Sequence, residues 1–189
     1  ARLARQALDG PRLESRYAAA SLANSLATVF LGVGAFDDAR RALLDARREV
    51  GGIADQAGFN ALFADATEGI IDWLEGRMRD AGARFRLALA AGRDDPLSRN
   101  GGNAWAALLH ATSLYERDDL RRAAHLFHLH LPTARDLGLV DHMINGHVAL
   151  SRIADGDGDV ETAMGLLGEL EHLAERRALP RVAASARLE

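Results

Sequence analysis

The chain has 189 residues, with 27 acids against 23 bases for a formal charge of −4, and is 48% hydrophobic and 5% aromatic. This balance fits an ordered chain with a sizeable core rather than a disordered one, and its mild acidity argues against a broad cationic surface for nucleic acid. The absence of Cys excludes disulfides, Cys-ligated zinc, iron–sulfur clusters and thiol catalysis.

Ala, Leu, Arg and Glu dominate, β-branched residues are sparse, and no stretch alternates polar and apolar for long. The pattern predicts helices near 1–8, 12–33, 36–50, 55–76, 78–92, 98–117, 119–137, 139–155, 159–178 and from 180 onward. Pro11, Pro96 and Pro180 stand where a helix should start, because a first-turn Pro loses no helical hydrogen bond. Pro132 falls inside a predicted helix and should kink or split it. No apolar run approaches the ~20 residues that span a bilayer, and no signal-peptide pattern opens the chain. A cytoplasmic location is the resulting expectation. The sequence starts at Ala1 without Met and stops in what reads as mid-helix, so we expect a piece of a longer protein.

Self-similarity sets the architecture. Phe36-Asp-Asp-Ala39 with Leu43, Met78-Arg-Asp-Ala81 with Phe85, Leu120-Arg-Arg-Ala123 with Phe127, and Val160-Glu-Thr-Ala163 with Leu167 share one template. The four Ala are 42, 42 and 40 residues apart, and a short turn precedes each. The physical reading is helix, tight turn, helix, four times over. Ala sits where the second helix crosses the first, and the apolar residues at −3 and +4 fill the gap between neighbours. One hairpin cannot bury its apolar face alone, so the units stack. The expected fold is all-α, an α-α superhelix. Its repeats are roughly 12–50, 55–92, 98–137 and 139–178, with partial repeats at 1–9 and 180–189.

This pattern resembles the tetratricopeptide repeat, which pairs a small residue in its first helix with Ala-x-x-x-Phe in its second, though the period here is longer than that repeat's. More specifically, the chain resembles the helical-repeat region of MalT-like, LuxR-type bacterial transcription regulators. Residues 106–120, 131–135, 146–153 and 179–189 carry that likeness. The resemblance implies a signalling ATPase on the N-terminal side and a promoter-binding helix-turn-helix on the C-terminal side. It also implies an array that senses a small-molecule inducer or a protein partner. Neither neighbour is in this sequence, and with no Lys there is no phosphate-binding loop of the Gly-x-x-x-x-Gly-Lys kind. The module is expected to be non-catalytic, to need no cofactor, and to touch neither nucleic acid nor membrane. The alternative is a general interaction scaffold that binds a peptide or partner protein.

In tetratricopeptide arrays the first helix of each hairpin lines the groove. Counting back from each Ala gives Ser21, Asn24 and Thr28 in the first repeat and Phe63 and Trp73 in the second. The same count gives Trp105 and Tyr115 in the third repeat, and Asn145 and Arg152 in the fourth. Aromatic faces with amides and an Arg suit a sugar, an aromatic effector or a peptide. A cleft between repeats two and three is the expected place. The competing reading puts Phe63, Trp73 and Trp105 in the inter-helix core, where most large aromatics lie.

The other clusters read as structure. Of the seven His, six lie between 110 and 147, but their spacing and the lack of a completing carboxylate argue against a metal site. Asp155-Gly-Asp-Gly-Asp159-Val-Glu161 starts like a calcium loop, yet Val160 and Leu166 stand where that loop needs Gly and Glu. Asp159 reads instead as a helix cap. Arg40-Arg41, Arg121-Arg122 and Arg176-Arg177 read as solvated faces in weak pairs with nearby acids such as Asp37, Asp118 and Glu175.

Overall fold

The structure is a computed structural model that describes residues 16–50, 57–92 and 102–189. The chain is all-α. Among the described residues there are nine helices: α1 (Arg16–Gly32), α2 (Phe36–Val50), α3 (Ala57–Leu74), α4 (Met78–Gly92), α5 (Gly102–Tyr115), α6 (Leu120–Leu137), α7 (Val140–Gly156), α8 (Val160–Arg177) and α9 (Pro180–Leu188). They follow the predicted spans closely, and Pro180 sits in the first turn of α9 as expected. The predicted helix near 1–8, the partial repeat at 1–9, Pro11 and Pro96 lie outside the described residues. Helix α6 runs on through Pro132 and is not split there. That ring lies on an exposed face of α6, so the helix gives up one hydrogen bond there without forcing a core side chain aside.

The period is written in the turns. Each hairpin reverses through one left-handed residue: Gly34 (φ 73°), Gly76 (80°), Asp118 (62°) and Gly158 (81°). The next residue's amide then donates to the carbonyl five positions back. The four bonds are Ala35 N to Phe30 O at 2.9 Å, Arg77 N to Asp72 O at 2.8 Å, Asp119 N to Leu114 O at 3.0 Å, and Asp159 N to Ala154 O at 2.8 Å. A positive φ costs Gly nothing in side-chain clash, and Asp is among the few other residues that tolerate it. The links between hairpins repeat too. Gly138 (φ 70°) and Ala178 (φ 52°) end α6 and α8 in the left-handed region.

Packing follows the same count. Ala39, Ala81, Ala123 and Ala163 are all buried. Twelve residues before each, on the first helix, stands another small buried residue: Ala27, Gly69, Ala111 and Ser151. The two sets meet, as Ser151 Oγ donates to Ala163 O at 3.0 Å. Beside Gly69 the approach is closer still, because a Cβ there would stand 2.6 Å from the Phe85 ring. Small side chains therefore let the paired helices close up, and Leu43, Phe85 and Phe127 fill the adjoining space with no exposed surface. The fourth repeat departs from the predicted template. Leu167 is only half-buried, Val160 is 57% exposed, and Leu170 takes the fully buried place instead. Helix α9 packs through Val182 and Ala186 beside Leu170, Leu173 and Ala174, at the C-terminal end of α8.

The chain packs as two compact units, Ala1–Ala106 and Ala107–Glu189. The core of the first joins Leu26, Phe30, Leu43 and Ile71. The core of the second joins Leu108, Phe127, Met143, Leu170 and Val182.

Glycine-to-alanine changes test the crossing directly. In a helix that swap alone stabilises by about 1 kcal/mol, and Gly165→Ala and Gly168→Ala, with open space around both positions, should show it. Gly69→Ala should reverse the sign and cost about 1–2 kcal/mol, because overpacking against Phe85 outweighs propensity. Urea unfolding of the three variants checks this, and a stabilising Gly69→Ala contradicts the crossing.

Candidate functional site

The sequence-predicted site residues occupy repeating positions on the first helices, 18, 15, 11 and 8 residues before each Ala. The structure separates them by burial. Ser21, Phe63, Trp105 and Asn145 share the first position, and all four are half-buried or exposed. Within the first unit, Phe63 of α3 and Trp105 of α5 stack with centroids 4.9 Å apart and planes at 25°. Phe59 lies 6.3 Å from Phe63, tilted, so three rings cluster where none is fully buried. Aromatics stacked at helical-repeat spacing but left half open offer faces to a flat or apolar partner.

The second position turns inward. Asn24 is 4% exposed, and its Nδ2 donates to Asn60 O at 3.1 Å and Asn60 Oδ1 at 3.0 Å. Asn24 is thus a packing residue joining α1 to α3, not the groove residue the sequence suggested. The corresponding Ala66 and Leu108 are buried as well, and Val148 is half-buried, so the position turns inward in three of the four repeats. Ser21 donates to the same Asn60 Oδ1 at 3.4 Å. Thr28 is exposed, and its hydroxyl bonds back to Asn24 O at 3.2 Å. Trp73 is half-buried and meets Phe85 edge-on at 6.2 Å. That contact ties it to the hairpin's own core, as the competing reading had it.

In the second unit, Tyr115, at the end of α5, and Arg152, in α7, line a pocket of about 340 Å³ with Glu116, Asp118, Leu120 and Ile153. Arg152 grips the carboxylate of Glu189 with two parallel bonds, Nε to Oε2 at 2.8 Å and Nη2 to Oε1 at 2.7 Å. Asn145 is exposed and does not line this pocket. The seven predicted residues thus yield two local pairings, Phe63 with Trp105 and Tyr115 with Arg152.

Sequence reasoning missed a charge network in the first unit. Arg40, read as solvated, is only 25% exposed. It reaches Asp72 at 3.2 Å and Glu75 at 2.5 Å. Asp72, nearly buried, also receives Arg77 at 2.5 Å and Arg84 at 3.6 Å. Arg47 joins Asp65 and Glu68, both at 2.6 Å, and Arg84 closes the set on Glu68 at 2.8 Å. Four guanidinium groups and four carboxylates so brace α2, α3 and α4 together. Arg40, Glu68, Asp72, Arg77 and Arg84 of this set line a cleft of about 390 Å³ together with Asp80, and because the charges of the five are matched within the network the cleft reads as a brace rather than an ion site. The hydrogen bond from Arg40, with help from Arg77, lowers the Glu75 carboxyl to about 2. Local spacing gives no hint of this, because Arg40 lies 32 residues from Asp72 and 35 from Glu75. Arg41 does behave as read, exposed beside Asp38.

The remaining clusters are structural. Asp159 caps α8, accepting from Thr162 N at 3.0 Å and from Thr162 Oγ1 at 2.7 Å, and these bonds lower its carboxyl below the ordinary range. His147 is buried and donates from Nδ1 to Met143 O at 2.8 Å. Burial pushes His142 down to about 4 and also lowers His130, with His125 nearby adding repulsion. Among the described residues no three His, Asp or Glu side chains converge to hold a metal, and no helix is long and apolar enough to cross a membrane. No protein-family model matches the chain, and no curated protein matches it.

Two titrations should be visible in stability. His142 stays neutral in the fold down to about 4, whereas the unfolded group gains its proton near pH 6.5. Stability is therefore full above about 6.5 and falls as pH drops toward 4, by on the order of 3 kcal/mol at most. His142→Gln should flatten urea midpoints over that window. Glu75 acts lower. Its folded carboxyl at about 2 gives stability that is present above about 4.5 and fades as pH falls toward 2. Glu75→Gln should remove that part of the acid transition and leave the His142 window unchanged.

Proposed function

We propose that this chain is the regulatory repeat module of a MalT-like, LuxR-type transcription regulator, binding an effector or partner and carrying no catalysis of its own. The reading is supported by the sequence resemblance over residues 106–120, 131–135, 146–153 and 179–189, and by hairpins that keep one register of turns and small-residue crossings. The observation that carries it is the half-open stack of Phe63 on Trp105. These rings come from the first helices of repeats two and three, where the sequence placed the cleft. A sugar or aromatic effector laid on them would touch α3 and α5 together. A ligand shifts an equilibrium only through unequal affinity for two states, and bridging two repeats supplies that inequality. The adjoining ATPase and helix-turn-helix are the parts that would read the shift. DNA contact belongs to the latter, and the cytoplasm is the matching location.

A thermal-shift screen of mono- and oligosaccharides and aromatic metabolites, followed by Trp105→Ala, tests the proposal. The expected result is at least one stabilising compound whose affinity falls tenfold or more in Trp105→Ala, with the helical signal retained. Melting of the array with affinity unchanged would make Trp105 a core residue and remove the site. Tight capture of a peptide with no small-molecule stabiliser would replace effector sensing by the scaffold reading.

A further inference from the structure

The pocket in the second unit carries an inference that rests on the reading above, that the first helices present ligand-binding positions. Its lining combines three kinds of group. Arg152 supplies a planar guanidinium, and the Tyr115 ring, Leu120 and Ile153 supply apolar surface. Glu116 and Asp118 supply two carboxylates, and neither takes part in an ion pair described for this chain. Glu189 shows what the guanidinium accepts. A carboxylate already lies in its fork with both oxygens bonded, at 2.8 and 2.7 Å, and Tyr115 lines the pocket beside the same Arg. This is the bidentate geometry by which Arg selects carboxylates.

The pair is also weakly held. The Arg152 side chain is 55% exposed and that of Glu189 26%, and pairs that reach solvent in this way are worth at most about fivefold in an equilibrium. A ligand carboxylate can therefore take the place of Glu189 at small cost. A bare anion fits poorly, because Glu116 and Asp118 face the same space and repel it. A ligand with an ammonium beside its carboxylate satisfies both ends, and one with an apolar side chain also covers Tyr115, Leu120 and Ile153. About 340 Å³ is within the usual range for small-molecule pockets and ample for one amino acid.

We propose that the pocket formed by Tyr115, Glu116, Asp118, Leu120, Arg152 and Ile153 binds a free apolar α-amino acid, and that Glu189 is the internal carboxylate it displaces. Arg152 takes the ligand carboxylate, Glu116 or Asp118 takes the ammonium, and the side chain lies over the Tyr115 ring. Displacement also cuts the link that Arg152 makes between α7 and the residue that follows α9. Binding thereby differs between a linked and an unlinked state, as regulation requires.

Calorimetric titration of the whole chain with L-leucine, L-methionine and L-phenylalanine tests this. Leucinamide, which lacks the carboxylate, and 4-methylpentanoate, which lacks the ammonium, serve as controls. At least one of the three amino acids should bind, with leucinamide and 4-methylpentanoate tenfold or more weaker than leucine. Glu189→Gln should bind up to about fivefold tighter because the competitor is gone, and Arg152→Gln should lose binding with helicity intact. If none of the three binds even Glu189→Gln, or if binding survives Arg152→Gln, the proposal is overturned. A ligand lost in Trp105→Ala but unaffected by Arg152→Gln sinks this site alone and leaves the broader reading standing.

Discussion

The fold depends on how near two helix backbones can come. Each hairpin carries a small buried residue on its first helix twelve positions before a buried Ala on its second, and at Ser151 and Ala163 the approach is close enough for a side chain to bond the opposite backbone at 3.0 Å. Such an approach needs the turn between the helices to have one fixed length and shape. A left-handed residue at 34, 76, 118 and 158 supplies it, as a single positive-φ residue reverses the chain while the next amide caps the helix behind. Turn and crossing are thus one constraint seen twice. A residue added between them would move the Ala out of the crossing and put a bulky neighbour in its place.

What the sequence made legible was what this constraint governs. Helix spans, turn positions and the buried Ala set all follow from spacing within one hairpin, and they came out within a few residues. The failures came from longer range. Arg40 reads as solvent-facing beside Asp37, but its partners belong to another hairpin, Asp72 near the end of α3 and Glu75 in the turn after it. Asn24 was placed by analogy on an open face, and the structure turns its position inward onto Asn60. Leu167 and Val160 were expected to be packed as in the other repeats. In this repeat the buried face of α8 is instead Leu170, Leu173 and Ala174, where Val182 and Ala186 of α9 pack. In the candidate site, residue types and rough location were legible. Which side chains touch was not, because that depends on neighbouring first helices that no local pattern describes.

The charged residues divide the molecule's surfaces in the same way. Around Asp72 three guanidinium groups converge on one nearly buried carboxylate, which would be costly were any of them left unmatched. The network instead balances four against four across α2, α3 and α4. It braces the second helices and leaves them little chemistry to offer a ligand. Arg152 differs in kind, since it holds one exposed carboxylate beside a pocket and loses little if that partner moves.

Comparing repeats within the chain then indicates where function can lie. Positions that set the backbone approach keep one residue type: Ala at 39, 81, 123 and 163, and Ala, Gly or Ser twelve residues earlier. Eighteen residues before each Ala the side chains are Ser21, Phe63, Trp105 and Asn145, four different chemistries at one geometric place. Packing that demanded a particular side chain there would demand it four times. The position therefore tolerates different side chains, and the two rings that stack at it are left half open. Eight residues before each Ala stand Leu31, Trp73, Tyr115 and Asp155, and here Leu31 and Trp73 pack against their hairpins' cores. Of these, Tyr115 lines a pocket with Arg152.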